Sequence, residues 1–237
     1  MKTVLITGAN SGIGFSCVRA FLNEGYKVYA HYHNQKDNLK SLENDRLILI
    51  QADLSQEIET KKIIANIFDD TKTLDVLVNN AAFYKRVSTF DKISVKDFDY
   101  TMQVNLHAPF LLSKEYLKYM KSHKKGNIIN ISSIGVKYGG SPNSIAYTVS
   151  KSALETMTVS FAKEAAKYNI LVNALRVGVT DTDIHLNADN KNMKKRIEMI
   201  PLGRMAFPEE IADYILFLSS DKCCFSTGSI LTIAGGE

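Results

Sequence analysis

Short apolar runs, each followed by a longer stretch with helical spacing, constrain this chain more than any other feature of its sequence. The candidate strands are Thr3–Thr7, Lys27–Tyr32, Leu47–Gln51, Val76–Asn79, Asn127–Ile131, Leu171–Leu175 and Ser229–Ile233. Helical spacing covers Gly12–Glu24, Gln56–Phe68, Val95–Lys121, Ala146–Tyr168 and Pro208–Leu218. Several of the strands have no polar side, as expected where helices cover both faces of a parallel sheet. Pro208, followed by Glu209 and Glu210, is a good helix start, because proline lacks only an amide that would be unpaired there. Strand-helix alternation with right-handed crossovers predicts an α/β fold, a doubly wound seven-stranded parallel sheet. Ligands of such sheets bind beyond the carboxyl ends of the strands, so the residues just after each strand matter most.

Composition closes off other classes. Nothing in the 237 residues approaches the apolar length of about 20 that spans a bilayer. The apolar stretch near Met1 is too short for a signal peptide. Three cysteines, two of them the adjacent Cys223 and Cys224, make neither a disulfide framework nor a structural zinc site. They fit a reducing cytoplasm, and Cys17, Cys223 and Cys224 read as small packing residues. A net charge of +4 does not by itself suggest nucleic acid, and with no Trp there is no evident stacking platform; no membrane partner is expected either, since no apolar run is long enough. Without repeats or long linkers, residues 1–237 are expected to form a single domain.

Two clusters carry chemistry. The first is Thr7-Gly8-Ala9-Asn10-Ser11-Gly12-Ile13-Gly14, directly after the first strand. Its glycines let the backbone turn sharply and approach a pyrophosphate, which the following helix meets with unpaired N–H groups. The second is Asn130-Ile131-Ser132-Ser133, then Tyr147-Thr148-Val149-Ser150-Lys151. Tyr147 and Lys151 are four residues apart and share a helix face. A phenol is a poor acid or base at neutral pH, and a nearby ammonium is expected to lower its pKa. A hydroxyl at the strand end can hold a carbonyl oxygen.

The G-x-x-x-G-x-G turn and the Ser/Tyr/Lys set together resemble the short-chain dehydrogenase/reductase family, including its 3-oxoacyl-carrier-protein reductases. The resemblance spans Thr3 to Gly236. It implies a Rossmann fold and an oxidoreductase that transfers hydride between a nicotinamide and a carbonyl or secondary alcohol, without a metal. By resemblance Asn105, Ser133, Tyr147 and Lys151 are the catalytic residues. Ser132 stays open as an alternative to Ser133, because the gap to Tyr147 is one residue longer than usual. Asn105 would hold a water in a proton relay from Lys151.

Further residues are implied at the cofactor. Gly8, Asn10, Ser11, Gly12, Ile13 and Gly14 would cradle the diphosphate. Asp53 and Leu54 would meet the adenine, although Asp53 also reads as a helix cap. Asn80 and Ala81, in Asn79-Asn80-Ala81-Ala82, would border the cofactor, with Ala82 where the family has Gly. Tyr147 and Lys151 would contact the nicotinamide ribose. Gly178, Thr180 and Thr182 would line the nicotinamide and diphosphate, with Val177 replacing the usual proline. Tyr32 falls at the adenosine ribose, followed by His33 and Asn34, and no carboxylate precedes Asp37. A carboxylate there would repel a 2′-phosphate, so NADP(H) is favoured over NAD(H).

The substrate is left wide. Lys191, Lys194, Lys195 and Arg196, in an expected lid over 181–201, and the run Lys121-Ser122-His123-Lys124-Lys125 would suit an acidic substrate or carrier protein. Such runs are more often solvated faces. A small ketone, a sugar, a pteridine-like compound or a non-catalytic NADP-binding role are the alternatives. An apolar face left on the two long helices predicts a homodimer or homotetramer.

Overall fold

The computed structural model describes residues 1–42, 44–182 and 190–237. Among them one sheet runs in the order β3-β2-β1-β4-β5-β6-β7, with every neighbouring pair parallel. The strands are β1 Thr3–Ile6, β2 Lys27–Tyr32, β3 Leu47–Gln51, β4 Val76–Asn79, β5 Gly126–Ser133, β6 Ile170–Val177 and β7 Ile230–Ile233. The helices are α1 Gly12–Asn23, α2 Asp37–Lys40, α3 Glu57–Asp70, α4 Val95–Met102, α5 Ala108–Met120, α6 Ile145–Ala165, α7 Asn190–Glu198 and α8 Pro208–Leu218.

Each face of the sheet has its own core. Val18, Phe21 and Leu22 of α1 and Ile211, Ile215 and Leu218 of α8 pack on one face. Ile63, Ile64 and Ile67 of α3, Leu112 and Tyr116 of α5 and Ala162 of α6 pack on the other. Burying each large apolar side chain contributes about 1.5–3 kcal/mol, which is why these strands carry no polar face. Strand order reverses between β1 and β4, the point at which sheets of this kind take ligands at their carboxyl ends. No described helix is long and apolar enough to cross a membrane.

Two expectations change. The stretch Val95–Lys121 is not one helix: α4 and α5 are joined by a π-helical turn, Gln103–His107. Pro109 is the cause, since it has no N–H to give the Asn105 carbonyl and its ring crowds that carbonyl. The cysteines also differ, because Cys17 is buried but Cys224 is exposed. Burial pushes the Cys17 thiol up from its ordinary value, with Asp213 adding to the effect.

Candidate active site

The glycine turn sits at the strand-order reversal and is built for close backbone approach. Gly8 and Gly12 have φ of +63° and +50°, in the left-handed region that favours glycine. A Cβ on Gly14 would lie 2.1 Å from the Gly8 carbonyl oxygen, so only glycine fits. A Cβ on Gly12 would lie 2.8 Å from the Thr182 methyl, which brings the segment after β6 onto the turn. At Ser11 no side chain caps α1, and its first turn carries no acidic residue. This cradle fits a diphosphate, which would take the N–H groups of α1 as donors.

Side chains behind the turn hold it in shape. Asn80 Nδ2 donates to the carbonyls of Thr7 (2.9 Å) and Gly8 (3.1 Å), and Thr7 Oγ1 accepts from the N–H of Asn80 and Ala81. Asn10 Oδ1 accepts from the Leu39 N–H. Beneath Gly8, His31 accepts the Gly8 N–H at Nδ1 (3.2 Å) and donates from Nε2 to the Ala52 carbonyl (3.1 Å). That network assigns the neutral tautomer with the proton on Nε2. Burial pushes the His31 pKa down to about 4, against a smaller upward pull from the Ala52 carbonyl. His31 was legible only as a strand residue; its bridge depends on neighbours from two other loops.

At the end of β2, where the adenosine ribose was expected, the Tyr32 ring is buried in the core, with the Lys36 ammonium 5.7 Å from its centroid. His33, half exposed, is the side chain that faces outward there, and its Nε2 stands 3.9 Å from Asp53 Oδ1. Burial raises the Asp53 carboxyl, but hydrogen bonds from Ser55 and the His33 charge outweigh it and leave the pKa lowered. Leu54 is buried. After β6, the Gly178 N–H donates to Ile233, and Thr180 and Thr182 fold back through hydroxyl bonds to the Gly178 and Thr180 carbonyls.

Ser133, Tyr147, Lys151 and Asn105 come together beside this cradle. Lys151 is buried; its Nζ donates to the Ile131 carbonyl (2.6 Å) and lies 5.7 Å from the centre of the Tyr147 ring. Burial pulls its pKa down to about 8. Ser133 ends β5 against Tyr147, whereas Ser132 Oγ points to the other side and donates to Glu155 (2.7 Å). Asn105 is fully committed: Oδ1 accepts the Phe83 N–H, and Nδ2 donates to the Phe83 carbonyl and to Ser150 Oγ.

The expected lowering of the Tyr147 pKa is not found. Burial raises it to about 12, the Ser133 contact pulls the other way, and Tyr84 pushes it further up. The Lys151 ammonium is turned to the Ile131 carbonyl, and desolvation dominates. Tyr84 itself was not anticipated; it meets the Tyr147 ring edge to face, centroids 5.0 Å apart.

The basic groups are divided. Lys121–Lys125 precede β5, at the amino ends of the strands, while Ser133 stands at its carboxyl end. An eight-residue strand separates the two by about 26 Å, so this run cannot steer a substrate to Tyr147. Lys194 and Lys195 are exposed on α7, and Arg196 pairs with Glu237 at 2.6 Å. Residues 183–189 of the expected lid, and the Lys191 side chain, lie outside the described residues.

Comparison with known proteins shows the family. A family model described as enoyl-(acyl carrier protein) reductase matches residues 8–237, and the chain belongs to the short-chain dehydrogenase/reductase family. It is an oxidoreductase that uses a nicotinamide cofactor and acts on CH–OH or C=O groups. Among its relatives is the 3-oxoacyl-[acyl-carrier-protein] reductase FabG of Thermotoga maritima, 35% identical over 99% of this chain and 97% of that protein. The protein of the same name from Rickettsia prowazekii is 36% identical over 99% and 96%. A 3alpha-hydroxysteroid dehydrogenase of Mediterraneibacter gnavus is 33% identical over the same shares.

Proposed function

We propose that the chain is an NADPH-dependent carbonyl reductase of the 3-oxoacyl-carrier-protein reductase type, with Ser133, Tyr147, Lys151 and Asn105 as its catalytic group. The observation that carries this reading is the meeting of the Tyr147 phenol with Ser133, with the Lys151 ammonium 5.7 Å from the centre of the same ring. A hydroxyl and a phenol so placed can hold one carbonyl oxygen between them and exchange a proton with it. When bound, the nicotinamide supplies the hydride.

Ser133 Oγ holds the substrate carbonyl oxygen, and Tyr147 donates its proton to that oxygen as negative charge develops on it. Lys151 supplies positive charge below pH of about 8 and fixes the strand end through the Ile131 carbonyl. Pro109 has no N–H to give the Asn105 carbonyl, and that carbonyl would hold the relay water. The glycine cradle, Asn80, Thr180 and Thr182 would bind the diphosphate and nicotinamide. His33 and Lys36, with no carboxylate at the end of β2, favour the 2′-phosphate of NADP(H).

For the substrate, exposed Lys194 and Lys195 on α7 support an acidic, carrier-linked acyl chain. The aromatic edge of Tyr84 favours a second reading, a flat ring compound such as a pteridine. Exposed Phe110 on α5, edge to face with Phe161 of α6, supports self-association as a homodimer or homotetramer.

The test is a carbonyl panel (3-oxoacyl thioesters, small ketones, sugars, pteridines) with NADPH and NADH, followed by absorbance. The expected result is NADPH-preferring reduction of a 3-oxoacyl thioester. Tyr147→Phe should keep NADPH binding and lose about 100-fold or more in turnover. Near-normal turnover of that variant refutes the assignment.

A further inference from the structure

Glu155 lies one helical turn beyond Lys151 on α6, buried, and no step of the mechanism uses it. It accepts from Ser132 Oγ at Oε1 (2.7 Å). It also receives a two-pronged ion pair from Arg176, with Nε to Oε1 at 3.0 Å and Nη2 to Oε2 at 2.6 Å. Ser132 and Arg176 are register partners on β5 and β6. One carboxylate therefore joins three elements at the carboxyl end of the sheet.

The position of Ser132 gives this clamp its significance. The residue before it, Ile131, presents the carbonyl that holds Lys151 Nζ. The residue after it, Ser133, touches Tyr147. Arg176 likewise immediately precedes Val177 and Gly178, which lead into the Thr180–Thr182 segment. A buried ion pair is a poor source of net stability compared with apolar packing, but it fixes geometry because both partners must be satisfied at once. Arg176 and Glu155 meet as a fork on a carboxylate, the arrangement with the strictest orientation.

We propose that Glu155, with Arg176 and Ser132, forms a positioning clamp that fixes the last turn of strand β5, so that the Ile131 carbonyl and the Ser133 hydroxyl hold Lys151 and Tyr147 in reactive register. None of the three touches substrate or cofactor in this role. The inference rests on the reductase reading of the site.

Ser132→Ala cuts the link to the strand while leaving the ion pair whole; Glu155→Ala removes the hub. Turnover, KM, NADPH affinity and amide exchange at residues 131–133 and 177–178 are measured for each and for the double variant. Ser132→Ala is expected to lower kcat about fivefold to tenfold with NADPH affinity within about twofold, since small misplacements are costly at a reacting centre. Ser132→Thr should restore it. Glu155→Ala should lose about 30-fold, and the double variant no more than that, because both act through one link.

Amide exchange at 131–133 should rise in both single variants. If Glu155→Ala does not fold, Ser132→Ala and its threonine rescue decide alone. Unchanged kcat in Ser132→Ala, or losses that multiply in the double variant, overturns the clamp. Should the wild-type chain reduce nothing in the panel, the reductase reading fails, and unaltered exchange in Ser132→Ala separately rejects the clamp.

Discussion

Acid should loosen this protein through His31, and the size of the effect follows from its burial. The ring is 2% exposed, accepts the Gly8 N–H and donates to Ala52. Its pKa is about 4, against an ordinary 6.5. A depressed histidine pKa means that the unfolded chain takes up the proton first. The penalty is absent above about pH 7 and grows as pH falls from 6.5 toward 4. At pH 5 the unfolded ring is almost wholly protonated and the folded one about one-tenth so, which costs about 2 kcal/mol, rising to about 3 kcal/mol at pH 4.

His31→Gln removes the titration while keeping an acceptor and a donor. Urea unfolding at pH 7.5 and 5.0 gives the comparison. The wild type should lose about 2 kcal/mol more than the variant between the two conditions. Surface carboxylates such as Glu210, held down to about 2 by Arg204, titrate in both proteins and cancel. Equal losses in wild type and variant would refute the argument.

Other perturbations test the cradle and the lysine. Gly14→Ala would set a Cβ 2.1 Å from the Gly8 carbonyl oxygen and 2.7 Å from Asn80 Nδ2. It should cost about 1–3 kcal/mol in a thermal melt and remove most NADPH affinity in a fluorescence titration. The rate of carbonyl reduction should fall as pH rises through about 8, because Lys151 loses its charge there rather than near 10.5. A kcat profile flat to pH 10 would contradict the depressed value.

The sheet and the glycine turn were legible because each depends on local pattern. Apolar runs such as Val4-Leu5-Ile6 bury on both faces wherever helices flank them, and Gly8, Gly12 and Gly14 carry their own conformational requirement. Tyr147 and Lys151 were legible because a four-residue spacing places them on one helix face. What the spacing could not convey was direction. Lys151 turns to a backbone carbonyl 20 residues back, and burial then governs both pKa values. Likewise, the break between α4 and α5 was signalled by Pro109, but helical periodicity continued across it. The position of Lys121–Lys125 was readable from strand direction alone; the charge run suggested a role that its distance from Ser133 forbids. Glu155 had a signal too, standing four residues after Lys151, but its meaning needed Arg176 and Ser132 from two strands.

The π turn at Gln103–His107 has a consequence for how this segment can vary. A wide turn is equivalent to one surplus residue in a helix, and each residue advances the spiral by about 100°. Deleting one residue there would close the wide turn into an ordinary one and keep Tyr100, Leu112 and Tyr116 in their present phase, with the Pro109 ring then crowding an α-helical carbonyl. A second deletion, or an insertion, would turn one half by about 100°, taking either Tyr100 from its edge contact with Phe83 or Leu112 and Tyr116 out of the core. The wide turn thus leaves room for the loss of one residue and for no other change in length.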